Sequence, residues 1–354
     1  MEIDTPHGNS SEGKLLDDER FLRRVARLYY EQHSSQEEIA QKEYCSRQTI
    51  GKALRRAEER GIVRISIVPE LRMGYLRNLT REVRLDLGLE DLVLVAGRNF
   101  SGTVVDEIVP DVMADITNAA AEYLDQLLTD KDILAVSGGR NIMRQVVRYL
   151  KPSKFLPNLQ VVSTIGFVKP QTTFGDSNLI AFDVATAYGA KHAWLPIPAI
   201  VETQEQCAQA RALPLARDVL SLIEEATVIM LGLWPMPHRS DVVTEGVLSQ
   251  AQIDLLLSQD PAVDINHWSF DRFGKCINDR LTPPPYYLTG FEIPRLKDKI
   301  STRNVKVILV AGAGPSYAPA IRAALKAGIA NILITDHITA ELLMESEEVG
   351  GSLS

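Results

Sequence analysis

Two residue patterns in this sequence carry potential chemistry: glycine turns that present backbone amides, and one segment dense in arginine. The first turn is Ser137-Gly138-Gly139-Arg140-Asn141, after the apolar run Ile133 to Val136 and before a helical pattern. Its glycines allow close backbone approach, amides at a helix N-terminus attract an anion, and Arg140 suits a bidentate contact to phosphate or carboxylate. Glycines in strand-to-helix turns also serve the turn alone. The second turn is Gly312-Ala313-Gly314-Pro315-Ser316-Tyr317, between the run Val305 to Ala311 and a helix from Ala318 to Ala327. The third, Ser269 to Gly274, is framed by Asp271 and glycine, and a lone Asp in such a turn more often caps backbone amides than binds a ligand.

The second turn, with Asp336 about twenty residues on, has the outline of a dinucleotide fingerprint. Tyr317 stands at the third glycine position, however, and only eighteen residues follow Asp336, so no complete dinucleotide-binding domain follows and no cofactor is expected. An enzyme reading would make Asp271 or Asp336 the general base. Neither has a His or Glu at diagnostic spacing. The six histidines are scattered, and Cys45, Cys207 and Cys276 form no C-x-x-C pair, so neither a metal site nor a disulfide framework is expected.

The arginine-dense segment is Ser35 to Gly61. Ser35 and Glu38 have capping-box spacing, which predicts a short helix from Gln36 to Lys42. After the turn Glu43-Tyr44-Cys45, Ser46 is a second N-cap, opening a helix from Arg47 to about Arg60 that Gly61 closes. On it Ile50, Leu54 and Ala57 form one apolar stripe. Residues near the N-terminus of such a helix reach base edges and later basic residues hold phosphates. Arg47, Gln48 and Thr49 are therefore the candidates for base edges and Lys52, Arg55 and Arg56 for the DNA backbone, with the N-cap Ser46 completing the DNA-binding set. The alternative is a solvated basic face; the coincidence of caps, turn and stripe favours DNA. Arg20 to His33 supplies a preceding helix with Phe21, Val25, Leu28 and Tyr29 at helical spacing, and Ile62 to Val68 alternates as a short wing strand before Pro69.

The segment from Arg20 to Arg64 carries a local charge of +5 in a chain whose net charge is −8. A basic segment in an acidic protein points that segment alone at a polyanion. The 354 residues, 45% hydrophobic and 24% charged, suffice for two domains. No apolar run approaches the roughly eighteen residues of a membrane span, and the polar N-terminus lacks a signal-peptide core, so a cytoplasmic protein is expected. The expected organisation is a disordered tail over 1–17, a helix-turn-helix domain over 18–69, a linker or oligomerisation helix over 70–90 and an effector domain over 91–354. In the linker Leu71, Tyr75, Leu79, Val83 and Leu87 make an amphipathic stripe that either pairs with a second subunit or packs on its own domain; the two-fold habit of helix-turn-helix readers favours the oligomer. From Leu92 onward, strands at Leu92 to Ala96, Ile133 to Val136, Leu159 to Ile165, Ala193 to Leu195, Thr227 to Leu233, Val305 to Ala311 and Ile332 to Thr335 alternate with helical patterns. That alternation predicts an α/β fold with a doubly wound, mostly parallel sheet, whose ligands bind at the carboxyl ends of the strands.

The run LYYEQHSSQEEIAQKEYCSRQTIGKALRRAEERGIVRISI resembles the DNA-binding head of the SorC-type sugar-responsive transcriptional regulators. It shows their order of aromatic pair, S-Q-x-E-I-A, S-R-x-T-hydrophobic, L-x-x-A and G-I-V. Later pieces keep the family's order. SGGRNIM is similar to its glycine-rich effector loop, VVSTIG to the next strand ending at Gly166, Asn178 to the asparagine opening the following helix, and LPIPA to the stretch after it. MLGLW resembles the hydrophobic-Gly strand end, FDRFGKCIN the F-D-x-x-G segment with Asp271, and AGAGPSYAPAIRAALKAG with TDHITAELL the closing signature. The resemblance covers about residues 20 to 345.

It implies a winged helix-turn-helix head and a Rossmann-like domain similar to sugar-phosphate isomerases and deaminases. Its implied effector pocket comprises Ser137, Gly138, Gly139, Arg140, Asn141, Gly166, Asn178, Asp271, Gly312, Gly314, Ser316 and Tyr317. The family usually has a phosphate-binding lysine where this chain has Tyr317, and a threonine or serine where it has Arg140. Either Arg140 replaces the lost charge or the effector is unphosphorylated. Trp234, at a position where a small residue is commoner, narrows the pocket. The expected protein is a non-enzymatic regulator of carbohydrate metabolism, with double-stranded operator DNA and a sugar or sugar phosphate as partners, a homodimer or homotetramer, no membrane association and no metal.

Overall fold

The computed structural model describes residues 15–63, 73–98, 110–137, 140–168, 177–236 and 248–345, with the side chains of 73, 74, 137, 140 and 141 outside that description. The chain divides into two compact units, Met1–Glu70 and Leu71–Ser354.

In the first unit α1 (Glu19–Ala26) continues into a π-helical turn (Arg27–Glu31), followed by α2 (Gln36–Lys42) and α3 (Arg47–Glu59). The sequence predicts one helix from Arg20 to His33; the structure instead widens it from Arg27. There Tyr29 and Tyr30 meet edge to face at 4.9 Å, and the Tyr30 hydroxyl donates to Glu58 Oε1 at 2.7 Å. The caps fall where expected. Ser35 and Glu38 complete a reciprocal capping box, the Ser46 hydroxyl accepts the Thr49 amide at 3.0 Å, and Gly61, at φ 69°, ends α3 with Ile62 N donating to Ala57 O at 2.8 Å. Phe21, Leu22, Val25, Ile39, Ile50, Ala53, Leu54 and Ala57 are buried together, the small core three short helices can enclose. The tail assignment ends too late in the chain: Leu15 to Asp17 are helical and Asp18 caps α1 by accepting Arg20 N at 2.9 Å. The expected tail before residue 15 and most of the wing strand, residues 64–68, lie outside the described residues.

The second unit is built on a seven-stranded parallel sheet. Its strands are β1 (Asp91–Val95), β2 (Ile133–Ser137), β3 (Gln160–Ser163), β4 (Lys191–Ala193), β6 (Val228–Gly232), β11 (Lys306–Val310) and β12 (Ile332–Asp336). They lie in the order β1-β12-β11-β6-β2-β3-β4. The central strands are buried on both faces and read as continuous apolar runs, as a sheet covered by helices requires. Around it lie α4 (Met73–Asp86), α5 (Pro110–Leu127), α6 (Arg140–Tyr149), α7 (Ser177–Tyr188), α8 (Gln204–Ala212), α9 (Pro214–Glu224), α10 (Gln250–Leu257), α11 (Leu296–Arg303), α12 (Tyr317–Lys326) and α13 (His337–Met344).

Two small antiparallel sheets are additions to the expected pattern: β5 (Ile200–Val201) with β10 (Tyr287–Leu288), and β7 (Trp234–Pro235) with β8 (Pro261–Ile265) and β9 (Trp268–Asp271). β4 falls at Lys191–Ala193 and not at Ala193 to Leu195, pairing with Gln160 to Val162 of β3. Part of the linker stripe is spent inside its own unit: Leu79 and Val83 are buried in the main core and α4 packs on α13 and β1. Leu79 and Val83 thus follow the packed alternative, while Tyr75 stays 45% exposed and Leu71 lies outside the described residues. Among the described residues no helix is long and apolar enough to cross a membrane.

Candidate functional site

On α3 the buried stripe comprises Thr49, Ile50, Ala53, Leu54 and Ala57. Helical spacing then turns Gln48, Lys52 and Arg55 to the opposite side, where all three are exposed, with Ser46 and Arg47 exposed at the leading end. Arg47 lies 3.8 Å from Glu37 on α2, an exposed pair that leaves its guanidinium near the surface. Thr49 corrects the sequence reading. It is 3% exposed, and its amide and hydroxyl both meet the Ser46 hydroxyl, so it completes the cap and is turned away from any base edge. Arg56 sits at the flank of the exposed face. There Arg56 Nη2 and Arg60 Nη2 reach Asp17 Oδ1 at 3.1 and 2.7 Å. A residue the sequence does not single out joins this face: Tyr44, in the turn before α3, is 97% exposed and held at φ 51°.

At the carboxyl edge of the sheet the chain leaves β2 toward β3 and β4 on one side, and β6 begins the run to β11 and β12 on the other. The winding reverses between β2 and β6, and the crevice at such a reversal is where open α/β sheets take ligands. The turn after β2 and the turn after β11 flank the end of β6, two strand spacings or roughly 10 Å apart. Ser137 ends β2, Arg140 and Asn141 begin α6, and Gly138 and Gly139 lie outside the described residues. Beside them on the β3 side, Gly166 passes against Ile197: a Cβ on it would stand 1.7 Å from the Ile197 carbonyl oxygen. The tip of the β8–β9 hairpin also reaches this edge, where Asn266 Nδ2 donates to Thr164 Oγ1 at 2.8 Å.

The turn after β11 is drawn tightly onto β12. Gly312, at φ 149°, leaves no room for a Cβ, which would lie 2.7 Å from both Asp336 Oδ2 and Thr335 Oγ1. The Ala313 amide donates to Asp336 Oδ2 at 2.8 Å, and the Tyr317 amide to the Gly314 carbonyl at 3.1 Å. Ser316 precedes α12 half-buried and makes no side-chain cap. Tyr317 is 3% exposed, part of the main core, and burial pushes its phenol up to about 12. It fills the start of α12 as an apolar body and offers no cation.

Two expected pocket residues have other work. Asp271 accepts the Phe273 and Lys275 amides at 2.9 Å each and pairs with Arg280 at 2.9 Å, organising its own turn. The same turn brings Gly274 against Lys326 and Ala327, the far end of α12 from Tyr317. Ten residues of helix span about 15 Å, which takes Asp271 out of the carboxyl-edge crevice. Asn178 is 4% exposed; its oxygen accepts the Leu195 amide at 2.8 Å and its nitrogen donates to the Leu195 carbonyl at 3.4 Å, clamping α7 to the segment after β4. Asp336, the other carboxylate a catalytic reading would use, is fully buried and bonded to the Ala313 and Thr339 amides. Both aspartates are committed to backbone amides, which suits positioning.

Comparison with known proteins agrees with this architecture. Residues 77–345 match the family described as "Putative sugar-binding domain". The Deoxyribonucleoside regulator of Bacillus subtilis (strain 168) is 27% identical over 330 residues, covering 90% of this chain and 96% of that protein. The Sorbitol operon regulator of Klebsiella pneumoniae is 24% identical over 336 residues, covering 93% and 99%. The solved full-length structure of the sorbitol operon regulator SorC from Klebsiella pneumoniae superposes with a TM-score of 0.67 at 23% identity, over 92% of this chain and 99% of that one. A regulator described as DeoR family from Listeria monocytogenes gives 0.64 at 21%, over 76% of this chain and all of its own. With the family match spanning most of the chain, this protein belongs to the sugar-binding domain family that the SorC-type regulators share.

Proposed function

We propose that the chain is a DNA-binding transcriptional regulator of carbohydrate metabolism whose operator affinity is set by a sugar or sugar-phosphate effector. The observation that carries this is the union, in one chain, of a doubly capped α3 exposing Gln48, Lys52 and Arg55 with a sugar-binding-family domain whose glycine turns converge on one sheet edge. Ser46, Arg47 and Gln48 approach base edges, Lys52 and Arg55 hold phosphates, and Arg56 reaches phosphate only by leaving Asp17. The effector is held by Ser137 to Asn141, Gly166 and Gly312 to Ser316. It acts by binding one conformation of the protein better than another. Two relatives are named for deoxyribonucleosides and for a sorbitol operon, which supports a sugar-like effector. The protein works as a homodimer or homotetramer on paired half-sites, in the cytoplasm and at the nucleoid when bound.

The test combines a thermal-shift screen of the full-length protein against sugars and sugar phosphates with a duplex-DNA binding titration. A ligand that binds only the folded state raises the midpoint with its concentration. At least one sugar or sugar phosphate is expected to do so and to change DNA affinity. No midpoint shift, together with no binding to duplex DNA at low salt, would overturn the reading.

A further inference from the structure

We propose that Asp336 and His337, consecutive residues where β12 passes into α13, are a positioning pair that ties the Gly312–Tyr317 turn to α4. The functional weight of this rests on reading that turn as part of the effector pocket. Asp336 is fully buried, and its two oxygens serve two elements at once. Oδ2 accepts the Ala313 amide at 2.8 Å and the Thr339 hydroxyl at 2.6 Å, while Oδ1 accepts the Thr339 amide at 2.9 Å. Ala313 is held at φ 66°, a left-handed conformation that a non-glycine residue keeps only when its surroundings impose it. One carboxylate therefore fixes both the turn and the first turn of α13.

His337 continues the connection. It is 6% exposed, and its Nδ1 accepts the Gly97 amide at 2.7 Å in the segment that follows β1. Its ring stands edge-on to Tyr75 of α4, with centroids 6.4 Å apart. The Tyr75 hydroxyl in turn donates to Glu341, one turn further along α13. Gly97 is itself confined, since a Cβ there would stand 2.5 Å from Asp336 Oδ1. The turn after β11 thus grips α13 at its start, and α4 grips it along its side.

A ligand that draws the Ala313 amide away from Asp336 removes one of three bonds on a buried carboxylate, where each bond is worth more than at the surface. The remaining bonds are to α13, so the disturbance passes to the helix that Tyr75 touches. Among the described residues α4 is the first helix of the second unit. A contiguous set of packed and hydrogen-bonded groups of this kind is what carries coupling between sites.

Hydrogen exchange on the full-length protein without any sugar tests the linkage directly. His337→Ala is expected to speed exchange at 311–317 and at 75–86 as well as locally, by about tenfold, the scale of ordinary coupling. His337→Asn places an amide oxygen near the position of Nδ1 and is expected to restore protection of Gly97. From the other end, Tyr75→Phe keeps the ring, loses the bond to Glu341, and is expected to raise exchange at Ala313. If His337→Ala changes only 337–345 and Tyr75→Phe only 75–86, the pair is a local helix start and the proposal falls. Because no sugar enters the measurement, that failure would leave the effector reading standing, and a sugar screen without hits would leave the exchange result standing.

Discussion

The carboxylate of Asp17 accepts Arg56 Nη2 at 3.1 Å, so a guanidinium suited to DNA phosphate already holds an anion of its own chain. The same oxygen takes Arg60 Nη2 at 2.7 Å, and the Asp17 carbonyl takes Arg60 Nη1 at 3.1 Å. Asp17→Ala is expected to free Arg56 for phosphate and to leave Arg60 held only through the backbone carbonyl of residue 17. Each new phosphate contact steepens the salt dependence of log K by about 0.9. Anisotropy titrations of duplex DNA at several salt concentrations should therefore show tighter binding at low salt and a steeper slope. Stability should barely change, because exposed ion pairs contribute about 0–1 kcal/mol. An unchanged slope would mean that Arg56 stays away from the DNA.

Protonation of Glu38 should loosen the start of α2. The Ser35 amide donates to Glu38 Oε2 at 2.8 Å and the Ser35 hydroxyl at 3.0 Å, and these bonds hold the carboxyl below its ordinary value. A folded-state value below the unfolded one means the stabilisation is present above the unfolded carboxyl range, about pH 4.3, and is lost as pH falls through the folded value. Glu38→Gln keeps a capping acceptor without the charge. Its melting midpoint should lie below that of the parent near neutral pH, with the gap closing under acid. A gap independent of pH would show that the charge adds nothing to the cap.

These caps were readable from sequence because they are local chemistry: Ser35 with Glu38, Ser46 and Gly61 act within four residues of themselves. The parallel strands were readable because burial on both faces leaves continuous β-branched runs. What was not readable depends on distant partners. Thr49 shares the helical spacing of Ala53 and Ala57, a local sign that it turns inward, but nothing near Asp271 says that its turn meets the far end of α12 and not the start. The β8–β9 hairpin closes through Asn266 and His267, both left-handed, and His is no turn signal. Asp336 looked like a nucleotide-binding acid or a base, and only the fold shows it spent on Ala313 and Thr339.

Two glycines should respond in opposite directions to alanine. At Gly166 the added carbon meets the Ile197 carbonyl oxygen at 1.7 Å and its carbon at 2.8 Å, both backbone atoms that no rotamer can move. Gly166→Ala should cost more than about 3 kcal/mol, the range reserved for disrupted cores and strained backbones. Gly51 sits mid-way along α3, where the nearest atom to an added carbon is Gln36 Oε1 at 3.7 Å. Gly51→Ala should stabilise by about 0.5–1 kcal/mol through reduced chain entropy. Urea unfolding of the two variants decides the matter. Similar small effects at both positions would mean that the segment at Gly166 yields to make room.

Gln48 and Arg55 share the exposed side of α3 but should fail differently. Gln48 lies one residue into the helix, where a side-chain amide reaches the paired donor and acceptor of an adenine edge. Arg55 lies two turns further along, where a guanidinium meets the DNA backbone and carries no sequence information. Gln48→Ala should therefore relax the preferred sequence at one position, costing about 1–3 kcal/mol on the preferred site and little elsewhere. Arg55→Ala should weaken binding to all sequences alike and reduce the salt slope by about 0.9. Selection of binding sites from random duplexes, followed by salt titrations on the selected and a scrambled sequence, separates the two. If Gln48→Ala lowers affinity uniformly and leaves the preference intact, base reading belongs to Arg47 or to the exposed Tyr44 before it.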